Sequence, residues 1–551
     1  MNERSIDALR RLATPVENAA IDELIAGRID RRAFLRHAGV LGFTAPLAGL
    51  LSGCDRPSGP SVRPGGVIRI GSQVPAGRID PITVADGAGL CMLAQTGEFL
   101  CVSEPDLRLT PILATGWSPN RDGSVWTFTI RKGVTFHDGR RMTARDVVAS
   151  IDRLADPANG STALSAFSGV LSKGGARYVD DETVAFHLDA PHGSFPYLVS
   201  SDNYNSIILP ADYGGDFESD FVGTGPFRLE AYTPRARASF VRNDHYWGPK
   251  ALPDRIVFIF YDSIQAQILA LQGGQLDGLM HVPVNDAQSL LADPDLDIVR
   301  LKSSGHVQIH MRNDIGPFRD KRVRRALALC LDRPAIVTGM FEGMAALGND
   351  SPFAPMFAAT DPAVPQRRKD IREARALLAA AGFPNGFATP LVTERYQELP
   401  DYAVVLQNAA RQAGIAIDLN VEDQAAYFGR AAFGQSDWLD SVVGIEEYAH
   451  RGTPNIFLSA TLGSKGAFNA ARFRNAEYDR LVAGYSAALD PAAQRAAAGQ
   501  IQRLLLDETP VITAYFSDWL SVTNRRITGA RPTAISQLWL DRVRSRPPAT
   551  A

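Results

Sequence analysis

Between Trp126 and Arg131 apolar and polar residues alternate one for one, with Trp126, Phe128 and Ile130 set against Thr127, Thr129 and Arg131. A period of two predicts a strand with one buried face, and large aromatic side chains suit a half-buried pleated surface. The run Ser118-Pro119-Asn120-Arg121-Asp122-Gly123 before it has the composition of a turn. Val134 and Phe136 repeat the alternation after Gly133 and predict a second strand, closed by His137-Asp138-Gly139. Thr143 then stands as an N-cap, with Asp146 in the reciprocal capping-box position, and Val147, Ile151 and Leu154 form one apolar helix face. Elsewhere the pattern predicts strands at Val67 to Ile70, Thr183 to Leu188, Phe227 to Ala231 and Ile256 to Phe260, and a helix from Ser263 to Gly273. Beyond Ser304, Val323, Leu327 and Leu331 share one helix face, which leaves the neighbouring arginines solvated. Ile371 to Gly386 is an Ala/Leu helix stopped by Gly382 and Pro384. Leu391 to Arg395, Tyr402 to Ala413 and Ile415 to Leu419 then alternate strand, helix, strand, and that alternation predicts an α/β second half.

At 551 residues the chain is too long for one typical core and predicts two or more lobes. A hydrophobic content of 45% with 21% charged residues describes an ordinary globular protein. The formal net charge of −3, without a basic run, excludes nucleic acid as the partner. No G-x-S-x-G, H-E-x-x-H, C-x-x-C or G-x-G-x-x-G in a strand–helix context is present, so no enzyme, cofactor or metal site is expected. Gly223-Thr224-Gly225 invites a phosphate-loop reading but lacks the Lys-Ser/Thr and the following helix that such a loop needs. His306 and His310 share a face of a predicted strand, but no third metal ligand is evident, and a half-exposed strand is expected instead. Of the four cysteines, Cys91, Cys101 and Cys330 cannot all pair. A Cys91–Cys101 bridge is compatible with an oxidising compartment. Cys91 falls in a predicted helix and Cys101 beyond Gly97, however, which favours buried free thiols.

Several runs are more specific than their structure requires. Pro111 to Ala114 with Trp117, Asp122 to Gly139 (DGSVWTFTIRKGVTFHDG) and Thr143-Ala144-Arg145-Asp146-Val147 resemble the signature of family 5 extracytoplasmic solute-binding proteins. These are the peptide-, dipeptide- and nickel-type receptors of ABC importers. Gly223 to Phe227 with Asn243 to Gly248, Gly274 to Asp277, and Pro317 to Leu327 with Asp332-Arg333 extend the resemblance over residues 67–545. It implies a two-lobed α/β periplasmic-binding-protein fold (type II, of the large peptide-binding type) whose lobes are joined by two crossing segments. Lobe I is expected over 67–305, lobe II over 306–512 and a return to lobe I over 513–545. Ligand is expected between the lobes, with no catalytic residue, no cofactor, a permease partner and a monomeric chain.

The same resemblance points to ligand contacts in the second lobe. Asp437 is followed by Glu446, Glu447 and Tyr448 where peptide-binding relatives carry an acid for the ligand's ammonium group. Arg395 and Tyr396 stand where dipeptide-type relatives carry an arginine for the carboxylate. A carboxylate complements an ammonium, and a planar guanidinium grips a carboxylate through two parallel hydrogen bonds. Glutamate replaces aspartate here, and His450 and Arg451 interrupt the spacing before Thr453-Pro454. Solvated loop acids and a surface arginine therefore stand as the alternative reading; Trp438 is read as core. A non-transport signalling or chaperone-like role on the same scaffold is the alternative function.

The N-terminus carries an address. Asp30-Arg31-Arg32-Ala33-Phe34-Leu35 resembles a twin-arginine export signal, and the apolar run after it is shorter than the roughly 20 residues a membrane-spanning helix needs. Leu51-Ser52-Gly53-Cys54 reads as a lipobox, which implies lipidation of Cys54 and a periplasmic protein anchored to the inner membrane. Residues 1–53 are thus a signal, and 54–66, rich in Pro, Gly and Ser, a flexible tether.

Overall fold

The computed structural model describes residues 65–545; the export signal at Arg31 and Arg32 and the lipidation site Cys54 lie outside the described residues. Val67–Gln73 is the axis of a seven-stranded mixed sheet. It pairs in parallel with Arg255–Tyr261, in the register Val67↔Arg255, and on its other side with Gly278–Leu279. Alternating burial along Arg255–Tyr261 drives Ile256, Phe258 and Phe260 into a core shared with Ile68, Ile70 and Phe240. His306–Met311 and Val443–Tyr448 are antiparallel partners in a second seven-stranded sheet, which continues through Phe387–Glu394 to Ile415–Glu422. The largest core cluster packs Ile309, Ile445, Leu391 and Ile415 of this sheet against Leu399, Tyr402 and Leu406 of the helix Leu399–Arg411.

The stretch that alternates most clearly builds a third, four-stranded antiparallel sheet in the order Ala114–Pro119, Val125–Ile130, Thr183–His187, Ala176–Asp180. Trp126, Phe128 and Ile130 are buried while Thr127 and Thr129 are exposed. The Phe128 ring stacks on Trp117 at 5.6 Å and meets Phe186 edge-on at 5.3 Å. The helix Ala144–Ala155 starts with the expected capping box: Thr143 accepts from the Arg145 N–H, and Asp146 accepts from the Thr143 N–H at 2.8 Å.

Several expectations need correcting. Val134 and Phe136 are buried but form no strand, because the segment folds back on itself with a single bridge between Thr135 and Arg141. The helix Lys321–Leu329 buries Val323 and Leu327 and ends before Leu331. Its arginines are not all solvated: Arg324 is 3% exposed and donates to the backbone carbonyls of Phe318, Glu508 and Thr509. It thereby satisfies carbonyls at the C-terminus of the helix Pro491–Glu508 that have no intrahelical partner. The strand carrying His306 and His310 is fully buried rather than half-exposed. Tyr515–Ser517 still pairs in the second sheet, and the chain enters the first sheet only with Trp519–Asn524, beyond the return expected at residue 513. Trp438 is core, as expected, packed with Tyr427, Leu439 and Phe468. Cys91, Cys101 and Cys330 are buried free thiols.

Gly223 and Gly225 show why that loop is glycine: a Cβ on Gly223 would lie 2.0 Å from the Thr96 carbonyl oxygen, and one on Gly225 2.7 Å from the same atom. The glycines serve close backbone packing on the helix Gly87–Thr96. Among the described residues no helix is long and apolar enough to cross a membrane. Truncating the centre of the aromatic cluster tests the third sheet. Phe128→Ala should cost about 3–5 kcal/mol of unfolding free energy, measured by chemical denaturation.

Candidate functional site

A cavity of about 430 Å³ lies between two walls of different origin. Residues 162–170 and 190–205, which follow and flank the four-stranded sheet, make one wall; residues 451–459 and 483–487, beyond the strand Val443–Tyr448, make the other. The walls meet by backbone at one edge. There the Gly193 N–H donates to the Ser486 carbonyl at 2.7 Å, and a Cβ on Gly193 would sit 2.0 Å from the Ala488 carbonyl oxygen. Gln494 Nε2 adds a bond to Ser194 Oγ at 3.2 Å.

Two opposite charges face this space. Asp202, 5% exposed, accepts from the Gly452 N–H through Oδ1 at 2.5 Å. Burial pushes its pKa up to about 6, opposed by the nearby Arg451 charge and by that hydrogen bond. On the opposite wall, the Arg451 guanidinium lies 5.0 Å from the centroid of the Tyr204 ring and donates through Nη1 to the His450 carbonyl at 2.7 Å. Among the described residues Arg451 is in no ion pair.

Backbone contacts hold Arg451 in place. Ser304 Oγ donates to the Arg451 carbonyl at 2.7 Å and accepts from the Arg451 N–H at 2.9 Å, while the Ser304 N–H donates to His450 Nδ1 at 3.0 Å. Burial lowers the His450 pKa to about 3, with Arg451 adding to the effect, so the ring is a neutral acceptor. Deeper in the cavity, Asn455 Nδ2 reaches His192 Nε2 at 3.3 Å and Ser486 Oγ at 3.2 Å. Asn455 Oδ1 and His192 Nδ1 are buried without hydrogen-bond partners. Burial lowers the His192 pKa to about 4, so this ring is also neutral near pH 7.

The five residues singled out from the sequence lie elsewhere. Arg395 is exposed, its side chain 67% accessible, and reaches Asp423 at 3.7 Å on the surface. Glu446 and Glu447 are neighbours on a strand, so their side chains point to opposite faces of the sheet. Glu446 is buried among Gln308, His310, Tyr448 and Thr461, with Oε2 unpartnered. Burial, then the charges of Glu394 and Glu447, raise its pKa well above the carboxylate range. Glu447 lies on the other face near Glu398, Glu394 and Tyr396; burial and the two acids push it up to about 8, with Arg451 opposing. Tyr448 stacks near His306 at 5.8 Å and meets Phe457 of the π-helical turn Phe457–Thr461. The structure therefore places both glutamates and Tyr448 in the second sheet, Tyr396 partly buried just beyond the strand Phe387–Glu394, and Arg395 on the surface. None of the five lines the 430 Å³ cavity. Asp202, Tyr204, His192 and Asn455 were not legible as a site. Arg451 left one signal, a His-Arg pair between a buried strand and Gly452-Thr453-Pro454. Among the described residues no group of three His, Cys, Asp or Glu side chains is arranged to hold a metal.

The sign of the Glu447 shift gives a test. Its folded pKa lies above the unfolded value, so its contribution to stability is full below the ordinary carboxylate range and is lost as pH rises through about 8. Glu447→Gln mimics the protonated acid. The variant should gain about 4 kcal/mol over the native chain between pH 5 and pH 9, measured by denaturant titrations at each pH.

Three kinds of comparison agree with this architecture. The family described as "Bacterial extracellular solute-binding proteins, family 5 Middle" matches residues 108–467. The chain is 28% identical over 405 residues to heme-binding protein A of Haemophilus influenzae, covering 68% of this chain and 73% of that one. It is 25% identical over 494 residues to the glutathione-binding protein GsiB of Shigella dysenteriae (84% and 91% covered). It is 26% identical over 466 residues to the dipeptide-binding protein DppE of Bacillus subtilis (76% and 81% covered). Among solved structures, the periplasmic binding protein DppA of Helicobacter pylori, in complex with the peptide STSA, superposes with a TM-score of 0.74 at 21% identity. That match covers 88% of this chain and 99% of that one. The substrate-binding protein CtaP of Listeria monocytogenes gives 0.77 at 20% identity, covering 88% and 100%. These structures share the two-lobed α/β fold.

Proposed function

The chain belongs to the bacterial extracellular solute-binding proteins of family 5, and from that premise we propose that it is the substrate-binding component of an ABC importer. It takes a short peptide or similar polar solute between its two lobes and delivers it to the membrane permease. The observation that carries this reading is the cavity of about 430 Å³. Its walls come from distant parts of the chain, and its size falls in the range of small-molecule pockets, about 300–1,000 Å³. Relatives named for heme, glutathione and dipeptides support small-solute capture as the shared task.

In this reading the walls part to admit ligand and close on it, a hinge motion of the kind common in two-lobed receptors. The Gly193–Ser486 and Asp202–Gly452 hydrogen bonds belong to the closed state. The polar bonds inside orient the solute more than they set affinity. The lobes correspond to residues 67–305 and 306–517, with the strand Trp519–Asn524 returning to the first lobe. Glu446, Glu447 and Tyr448 act from behind the cavity, by shaping the strand that leads into Arg451. Arg31 and Arg32 direct export, acylated Cys54 anchors a monomeric protein to the inner membrane on its periplasmic side, and residues 55–66 form the tether.

Native mass spectrometry of the signal-less protein purified from cells tests the proposal. A co-purified solute released on gentle activation is expected, with peptides of narrow length pointing to the peptide class. Protein that is empty, and that shows equal affinity for its permease with and without added solute, would overturn the importer assignment.

A further inference from the structure

We infer that Glu446, Glu394 and Glu422 form a proton-held latch in the second sheet. The short helices Gln424–Phe428 and Asp437–Asp440 stay packed on the sheet while this row holds protons, and loosen once it is fully ionised. The latch goes beyond the solute-binding reading and does not depend on which solute the cavity takes. The register carries the inference. Glu394 pairs with Glu422 at the end of the parallel strands Phe387–Glu394 and Ile415–Glu422. On the other side Val392 pairs with Gly444 and Thr393 with Ile445, so Glu394 and Glu446 are the next residues along. In-register neighbours project to the same face, which lines up three carboxyl groups across three adjacent strands. Glu394 is 2% exposed and Glu446 5%, while Glu422 is half-buried at the rim. In each of the three, Oε2 is buried without a hydrogen-bond partner. Tyr427, fully buried, gives its hydroxyl to the Ile445 carbonyl at 2.8 Å. Burial, then the charges of Glu446, Tyr448, Glu394 and Glu422, raise its pKa, so one side chain faces the whole row.

The groups around the row supply no cation. Gln424 reaches Glu394, and Asn420 Nδ2 donates to Glu422 Oε1 at 2.7 Å. From the helix Asp437–Asp440, Asp437 adds a fourth carboxyl beside Glu422, and Asp440 is paired with Arg472 at 2.7 Å. From the strand His306–Met311, Gln308 stands opposite Glu446. Burial lowers both His306 and His310 to about 4, so neither ring is charged near pH 7. Arg395 reaches outward to Asp423, and the Arg451 charge acts on Glu447, on the opposite face. Among the described residues no lysine or arginine forms an ion pair with the three glutamates. Like charges directly opposed across strands destabilise a sheet, and an enclosed carboxylate without a cation favours its protonated form. Burial is the first cause that raises all three acids; Glu394 and Glu447 then act on Glu446, and Asp437 on Glu422. A raised acid stabilises fully below the ordinary carboxylate range, and that contribution is lost as pH rises through its folded pKa. The two helices above the row have five and four residues, too few to persist without the face beneath them. They give way first. The strand Val443–Tyr448 also runs on into His450 and Arg451, so the latch bears on the cavity wall.

Hydrogen exchange of the signal-less protein from pH 5 to pH 9, read by mass spectrometry and corrected for the intrinsic pH dependence, tests the latch. Protection of residues 424–440 should fall about tenfold per pH unit for each proton the row gives up. The strand Val125–Ile130, in the four-stranded sheet, should keep its protection over the same range. In the double variant Glu394→Gln with Glu446→Gln, whose amides cannot ionise, the fall at 424–440 should flatten. Constant protection of 424–440 in the native chain, or a fall shared equally by Val125–Ile130, would overturn the inference. Both readings come from the native protein and stand even where the variant fails to fold. A folded double variant that keeps the native slope would overturn it too. Calcium chloride added at pH 9 is the last probe, and unchanged exchange is expected. Calcium that binds in isothermal titration and restores protection at 424–440 would make the row a cation site and contradict the latch.

Discussion

The placement of three consecutive residues, His450, Arg451 and Gly452, is the constraint on which the cavity depends. Ser304, in the link between a first-sheet strand and a second-sheet strand, grips both the carbonyl and the N–H of Arg451 with one hydroxyl. Asp202, from the opposite wall, takes the N–H of Gly452. Between those two attachments the backbone has little freedom, and Arg451 lines the cavity. Gly452 is required by the closeness of the far wall: a Cβ there would lie 2.8 Å from Tyr197 Cδ1 and 2.9 Å from Asp202 Oδ1. The segment that presents the cation is therefore also the segment that touches the opposite wall.

Behind this segment the second sheet buries more acid than a structural core needs. Glu394 raises the pKa values of both Glu446 and Glu447, Glu447 adds to the effect on Glu446, and no ion pair with lysine or arginine compensates them among the described residues. Burial of a carboxylate without a cation favours its protonated form, and the Glu446 pKa is accordingly raised well above the carboxylate range. The Arg451 charge opposes the rise of Glu447 and Asp202 alike. The lone guanidinium thus sits between an acid on the far wall and acids in the sheet behind it, and the acid that reaches the cavity is Asp202.

Much of the fold was readable locally because its causes are local. Alternation at Trp126, Phe128 and Ile130 needs only the strand's own period, and Thr143 with Asp146 needs only one helical turn. Expectations failed where the deciding partner was remote in sequence. Arg324 looks like one more charge on a solvated face until the end of the helix Pro491–Glu508 arrives to be capped. Val134 and Phe136 follow a strand pattern, yet the neighbouring loop leaves them no continuous partner. The site was the least legible part. Asp202 and Gly452 are 250 positions apart, and neither lies in a run whose spacing marks it. The acids at Glu446 and Glu447 were singled out by their resemblance to the segment that carries an ammonium-binding acid in peptide-binding relatives, and as neighbours on a strand they point to opposite faces.

The central claim is that the two walls form a closed state held around a solute. Small-angle X-ray scattering on the refolded, solute-free protein, before and after reloading with the solute it carries from cells, tests this most directly. The account predicts a larger radius of gyration without solute and contraction, on reloading, to the profile of the structure described above. Identical profiles in the two states would contradict it.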